Sequence, residues 1–404
     1  MLIIFIELGI IFWITRILKS KGLTRIHKYV CLAFCIQVFI LTIYRLELRA
    51  LGREVYYSDA EVYWNATVAL LQGWDVTTWN MGYVYYSYLI QITSPFVWVG
   101  FINISNILLI DITSLIFAYV MIGNNVHISN IRWFFIMSTF NPLVIYSLTR
   151  NLKDILFLFY TSIIILCFHW LNCQDKRRIS LYAFVVSLTL LVTDVRPWGF
   201  LVTLSLFFYF YSISLARSFQ KNPIWFFVSF LGIAVVFIAV LYLMRYLGYV
   251  ATLELWVPIV LESAFGYGIL DLLLAPFRIL TGPGPVRSLQ GARYFWYYTV
   301  SGNIFSAIGA LLWWLCLGSM GARLITGRAK GNSASIMFAI VWVLFMLIYS
   351  LQYGGSLELR FRGIIYILTL AFVMSIVDYR VSRSTRILTV IMTGIVFIGG
   401  LVFG

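Results

Sequence analysis

The chain has 404 residues, is 62% hydrophobic and only 11% charged, and has a mean hydropathy of +0.94. Its apolar runs repeatedly reach the roughly 20 residues that cross hydrocarbon as a helix, which excludes a soluble protein. The net charge of +14 sits mostly in short loops, where orientation and anionic headgroups account for it, so it does not point to nucleic acid.

In chain order, helices are expected over 2–18, 29–45, 96–121, 132–149, 154–172, 180–194, 198–216, 224–247, 299–319, 335–352, 364–379 and 387–403. They predict an all-α, polytopic membrane protein of about twelve transmembrane helices, forming a single integral membrane domain over 1–404. Segment 2–18 has no cleavage-site pattern and reads as a retained helix. Two loops are long, 46–95 and 248–300, and both are apolar and aromatic rather than rich in Ser and Gly. Within them, Tyr83–Thr93 and Leu253–Leu274 have the amphipathic look of helices lying in the membrane interface. Gly282 and Gly284 alternate with Pro283 and Pro285, which makes a stiff kinked loop and not a phosphate-cradling helix start. There is no internal repeat or soluble domain. The five cysteines, Cys31, Cys35, Cys167, Cys173 and Cys316, fall in or beside apolar segments. Cys31 and Cys35 are one helical turn apart, but no His or acid joins them, so they read as small apolar side chains.

The charges between the helices are sorted. Alternate loops and helix ends hold seventeen basic residues and two acids, Asp175 and Asp378. The remaining loops hold twelve basic residues and eleven acids, with Glu7 and Asp111 left inside helices. Basic loops stay cytoplasmic, which places the mixed-charge loops on the periplasmic or extracellular side of a plasma (inner) membrane. Of the twelve outer basic residues, eleven are Arg. Headgroup anchoring would accept Lys equally well, whereas guanidinium forks onto phosphate oxygens.

The outer loops carry the candidate chemistry. Asp59 and Glu61 are two apart, a spacing that lets one carboxylate act as a base while the other orients it or binds a metal. Capping of a helix that starts near Ser58 is the competing reading. Tyr57, Tyr63, Trp64, Trp74 and Trp79 offer faces for sugar rings or an interfacial aromatic belt. Arg150, Asn151, Lys153 and Asp154 break an apolar run at an outer turn; Asp154 suits a helix cap, and Lys153 or Arg150 a phosphate. Asp194 and Arg196, before Pro197, read as an ion pair. Arg278 and Arg287 lie in the second long loop, and Arg360 and Arg362 in the last outer one. Salt bridges with the outer acids compete with phosphate contacts for all of these arginines.

Three stretches resemble one family. The run SDAEVYWNATVALLQG in the first outer loop, FNPLVIYSLTRNLKDILFLF at 140–159 and LELRFRGIIYIL at 357–368 are similar to segments of the GT-C superfamily of polyprenyl-phosphate-sugar-dependent membrane glycosyltransferases. The resemblance implies transfer of a sugar from a polyprenyl-phosphate-linked donor to a glycan or lipid-linked acceptor at the outer face. It implies Asp59 as the base, with Glu61 second, and Arg360, Arg362, Lys153 and Arg150 on the donor phosphate. Tyr57, Tyr63, Trp64, Arg278 and Arg287 would contact the sugars. Some members use a divalent cation; with no outer His, a metal at Asp59 and Glu61 would be oxygen-bound, such as Mg²⁺ or Mn²⁺. An O-antigen or capsular repeat-unit polymerase shares the helix count and the outer arginines. A lipid-linked sugar flippase or transporter is the reading from another class, though such proteins place ionisable groups near the midplane. Here only Glu7 and Asp111 lie within spans.

Overall fold

The computed structural model describes residues 1–55, 59–78, 80–173, 179–221, 268–282, 284–290, 299–326, 331–353, 359–377 and 383–403, with isolated positions between 258 and 266. Side chains of 173, 179, 213–221, 359–360 and 402–403 are outside that description. The described elements are α1 (Leu2–Ser20), α2 (Ile26–Ala50), α3 (Asp59–Leu71), α4 (Met81–Ile92), α5 (Gly100–Gly123), α6 (Ile128–Thr139), α7 (Pro142–Thr149), α8 (Asp154–Cys173), α9 (Ile179–Val195), a 3₁₀ turn (Pro197–Gly199) and α10 (Phe200–Lys221). They continue with α11 (Ile269–Thr281), α12 (Pro285–Leu289), α13 (Val300–Thr326), α14 (Ser333–Tyr353), α15 (Leu359–Ile376) and α16 (Arg383–Phe403). No strand occurs among the described residues.

Six of these helices, α2, α5, α8, α13, α14 and α16, are long and apolar enough to cross a membrane. Parts of α9 and α15 are shorter apolar helices, Ser180–Val195 and Phe361–Ile376. The chain is therefore an all-helical protein with the apolar helices of a multi-pass membrane protein. α1 packs along α5 but carries Glu7, Arg16 and Lys19 among its 19 residues. The helix expected at 224–247 lies outside the described residues.

α5 is the axis of the bundle: nearly every side chain from Gly100 to Met121 is buried, and α1, α2, α4, α6, α7, α8 and α15 all touch it. By contrast α2, α13 and α16 keep long apolar faces open, among them Phe39, Ile308, Leu315, Val390 and Ile398. An apolar outer face around a polar-containing centre is the distribution expected of a protein solvated by lipid.

One helix expected over 132–149 is two. Asn141 caps the second half: its side-chain oxygen accepts from the backbone N–H of Leu143 at 2.9 Å and of Val144 at 3.4 Å. Pro142 takes the first helical position, where its missing N–H costs nothing, while the residue before a proline is pushed out of helical geometry. The Asn141 amide also donates to the Gly309 carbonyl at 3.1 Å, which locks α7 to α13. The approach is close. A Cβ on Gly309 would lie 2.3 Å from the Leu143 nitrogen and 2.4 Å from Asn141 Oδ1. Backbone cannot yield cheaply there, so Gly309→Ala should cost about 1–3 kcal/mol through overpacking, read as a lowered melting temperature in detergent.

The first long loop is largely helical. α2 runs on to Ala50, and α3 and α4 fill most of the rest. α4 covers the expected amphipathic stretch, with Tyr83, Val84, Ser87, Ile90 and Gln91 turned inward.

Candidate functional site

The helix ends sort as the charges do. At one end of the bundle gather the C-terminus of α2, the helices α3 and α4, the N-terminus of α5, the α7–α8 turn and the 3₁₀ turn. The ends of α11 and α14 and the starts of α13 and α15 join them through contacts given below. At the other end, Asn130 at the start of α6 donates to the carbonyls of Met374 and Val377 at 3.2 and 2.8 Å. There also, Asn124 meets His169 at 3.2 Å and Lys21 lies over the Tyr119 ring at 4.8 Å. Among the described residues, the helix ends that flank the mixed-charge loops therefore meet in one place, and those that flank the basic loops in the other.

The hub of the first end is the turn Arg150–Asn151–Leu152–Lys153. Two asparagines of α5, three residues apart and so on one face, hold its entry. Asn103 donates to the Thr149 carbonyl and Asn106 to the Arg150 carbonyl, each at 2.7 Å. Asn151 accepts from the Tyr83 hydroxyl at 2.8 Å and donates to the Ala60 carbonyl at 2.9 Å. Burial holds the Tyr83 hydroxyl well above its ordinary pKa, so it remains a donor to Asn151. Lys153 is buried and donates to the Tyr63 hydroxyl at 2.6 Å; Asn80 donates to the same oxygen at 3.1 Å. The turn thus ties α3, α4, α5, α7 and α8 at a single point.

This junction sets the two acids. Asp59 and Glu61 flank Ala60, whose carbonyl Asn151 holds. Asp59 opens α3 in its first turn, where the helix dipole favours a carboxylate, and it precedes the Lys153-bound Tyr63 by one helical turn. It is half-buried. Glu61 is exposed and shares a face with Trp64 and Asn65. These three, with Arg53 and Glu54, line a surface cavity of about 580 Å³. Trp64 is otherwise buried. Tyr63 is buried too, and its hydroxyl is occupied by Lys153 and Asn80, which makes it an anchor for Lys153 in the first place. Tyr57 lies outside the described residues.

The expected pair between Asp194 and Arg196 is not formed. Arg196 instead forms a buried ion pair with Asp154, 42 residues away, because Pro197 turns its side chain back toward the start of α8. The guanidinium is boxed by aromatic rings, with Phe361 at 5.3 Å, Phe157 at 5.6 Å and both Trp198 and Tyr349 at 5.9 Å. Asp194 packs against Gly82 instead: a Cβ on Gly82 would lie 2.9 Å from Asp194 Oδ2.

Phe361 brings the last outer loop to the same end. Arg362 is buried, and its Nη2 lies 3.4 Å from the Arg278 carbonyl, to which it donates. Arg278 pairs with Asp271 at 2.9 Å, which bears out the salt-bridge reading for that arginine. Arg287 is half-buried on α12, and the side chain of Arg360 lies outside the described residues. Arg150 sits 5.5 Å from the Tyr146 ring. The Tyr146 hydroxyl meets Thr299 at 3.3 Å, and Glu47 caps the next helix by accepting from the backbone N–H of Val300 and Ser301 at 2.7 and 3.0 Å.

Neither family models, nor curated proteins, nor solved structures give a match to this chain. Among the described residues, the buried charged side chains of this end are Arg150, Lys153, Arg196 and Arg362 with Asp154 and, against Ser105 and Tyr86, Glu7: four cations and two acids. A low-dielectric setting strengthens the attraction of such a group for an anion. No cluster of three or more His, Cys, Asp or Glu suited to a metal occurs among the described residues. Glu54 and Glu61 are two carboxylates that line one cavity.

Asn151 stood out in the sequence as part of a break in an apolar run, but the two amides of α5 did not. Asn103 and Asn106 position the turn and Tyr83 orients Asn151, yet none of the three carries a charge that would single it out. The available signal was polarity inside an apolar run: Asn103 and Asn106 are two amides on one face of a helix that is otherwise nearly all apolar.

Proposed function

We propose that the protein is a membrane glycosyltransferase that moves a sugar from a polyprenyl-phosphate-linked donor to a glycan or lipid-linked acceptor at the membrane surface. The observation that carries the reading is that Tyr63 holds Lys153, at 2.6 Å, against α3, the helix of Asp59 and Glu61, with Arg150 and Arg362 at the same end of the bundle. Cations and carboxylates at one end of an apolar bundle suit a substrate with a lipid tail, a phosphate and hydroxyl groups.

The acceptor sugar enters the cavity beside Glu61, where Trp64 offers a ring face and Asn65 and Glu61 bind hydroxyls. Asp59 takes the proton from the attacking hydroxyl. That oxygen bonds to the anomeric carbon of the donor, with inversion, as the bond from that carbon to the phosphate oxygen breaks. The electron pair leaves on the polyprenyl phosphate. Lys153, Arg150, Arg360 and Arg362 neutralise its growing charge, and fixed cations in a water-poor site are an effective way to do so. An Mg²⁺ or Mn²⁺ ion would take its protein oxygen from one of the two acids, since Asp59 and Glu61 stand two apart on α3 and face different sides, and would fill its shell with water and substrate phosphate. The site faces the periplasm or the cell exterior of the plasma membrane, by the sorting of basic loops.

Asp59→Asn should abolish the surface glycan while protein level stays normal, by about 10²–10⁴-fold in rate if the carboxylate is the base. Glu61→Gln should act mainly on the acceptor KM. An unchanged glycan in the Asp59→Asn strain removes Asp59 from the chemistry.

A further inference from the structure

A second cavity, of about 250 Å³, lies toward the basic end of the bundle, between α6, α13 and α15. One stripe of α13 forms most of its wall. Leu312, Cys316, Ser319 and Arg323 recur at three- and four-residue steps and so line one face. Trp133 of α6 and Met374 of α15 close the other side. The wall is graded, apolar at Leu312 and polar at Ser319 and Arg323, and Arg323 stands in the last turn of its helix. Leu312, Leu315 and Trp133 are also exposed on the outer surface, so the groove opens onto the face that lipid would cover. Arg323 Nη1 is buried and has no hydrogen-bond partner among the described residues. A buried cationic donor left in that state calls for an anion.

We propose that this groove holds one anionic phospholipid of the leaflet that faces the basic loops. Its acyl chain runs along Leu312 and Leu315, and its phosphate accepts from Arg323. Charge complementarity selects this occupant over a neutral lipid: the loops of this end hold most of the Lys and Arg of the chain, and the cytoplasmic leaflet is rich in anionic lipids. The cavity is smaller than the roughly 300–1,000 Å³ of a pocket that encloses a whole small ligand, as suits a chain segment held against an open side. The site is separate from the Lys153 junction and does not depend on glycosyl transfer.

The test is native mass spectrometry of the full chain titrated with phosphatidylglycerol or phosphatidylcholine in detergent. Phosphatidylglycerol should be retained about fivefold more tightly. Arg323→Gln should erase the preference, and Ser319→Phe, which fills the groove, should lower retention of both lipids. Equal retention of the two lipids by the unaltered protein, or an unchanged preference in Arg323→Gln, would overturn the proposal. Tighter retention of a polyprenyl phosphate than of phosphatidylglycerol would overturn it too.

Discussion

Asp154→Ala should be among the most damaging single changes to folding, costing about 3–5 kcal/mol. Asp154 is fully buried and forms its ion pair with Arg196, which is itself buried. Removing the carboxylate leaves a guanidinium inside the bundle among Phe157, Trp198, Tyr349 and Phe361. The rings attract a cation, but they do not replace the charge-assisted hydrogen bond of the lost carboxylate. The loss also spreads. Asp154 begins α8, Arg196 begins the 3₁₀ turn, and Phe361 lies at the start of α15, so three elements lose a common partner. Thermal unfolding in detergent, followed by size-exclusion profile, checks this: the melting temperature and the monodisperse fraction should both fall sharply. A near-normal profile would mean that Arg196 finds another anion.

Lys153→Met should show the opposite balance, a large loss of activity with a modest loss of stability. Methionine keeps the apolar stem and removes the ammonium. The Tyr63 hydroxyl keeps Asn80 as a partner at 3.1 Å, so the folding cost should be about 1 kcal/mol. If Lys153 neutralises the leaving phosphate, transfer should fall about 10²–10³-fold, the loss seen when one preorganised donor is removed from developing negative charge. The readout is polyprenyl phosphate released per unit of protein in membranes. Activity and stability falling together in proportion would make Lys153 only an anchor for Tyr63. The two neighbours should therefore separate, residue 153 governing rate and residue 154 folding.

Local features were legible in the sequence. Apolar runs located most of the described long helices, six of which are long enough to span a bilayer, and the basic residues marked one set of helix ends. The Asn-Pro step inside 132–149 was a readable stop that the apolar run overrode. Long-range pairing was not legible. Asp194 stands two residues from Arg196, so proximity favoured it, yet Pro197 and the start of α8 give the arginine to Asp154. The junction itself depends on Asn103, Asn106, Asn151 and Tyr83, whose partners are mostly backbone carbonyls that no residue type announces. Asp59 and Glu61 sit where one carboxylate can meet the Lys153 turn and the other a cavity, although i and i+2 on a helix point to different faces.

The charge sorting also acquires a physical meaning at each end. At the end of the mixed-charge loops, cations, amides and carboxylates are tied into one junction around residues 150–154. At the basic end, Arg323 and its groove offer a lipid contact.

The most direct test of the glycosyl-transfer reading is mass spectrometry of the lipid-linked and surface glycans from a strain that lacks this protein. One sugar should be missing from the surface glycan, with the matching polyprenyl-phosphate monosaccharide accumulating, and the Asp59→Asn protein should give the same pattern. Unchanged glycans would contradict it, as would short unpolymerised repeat units, which belong to a polymerase.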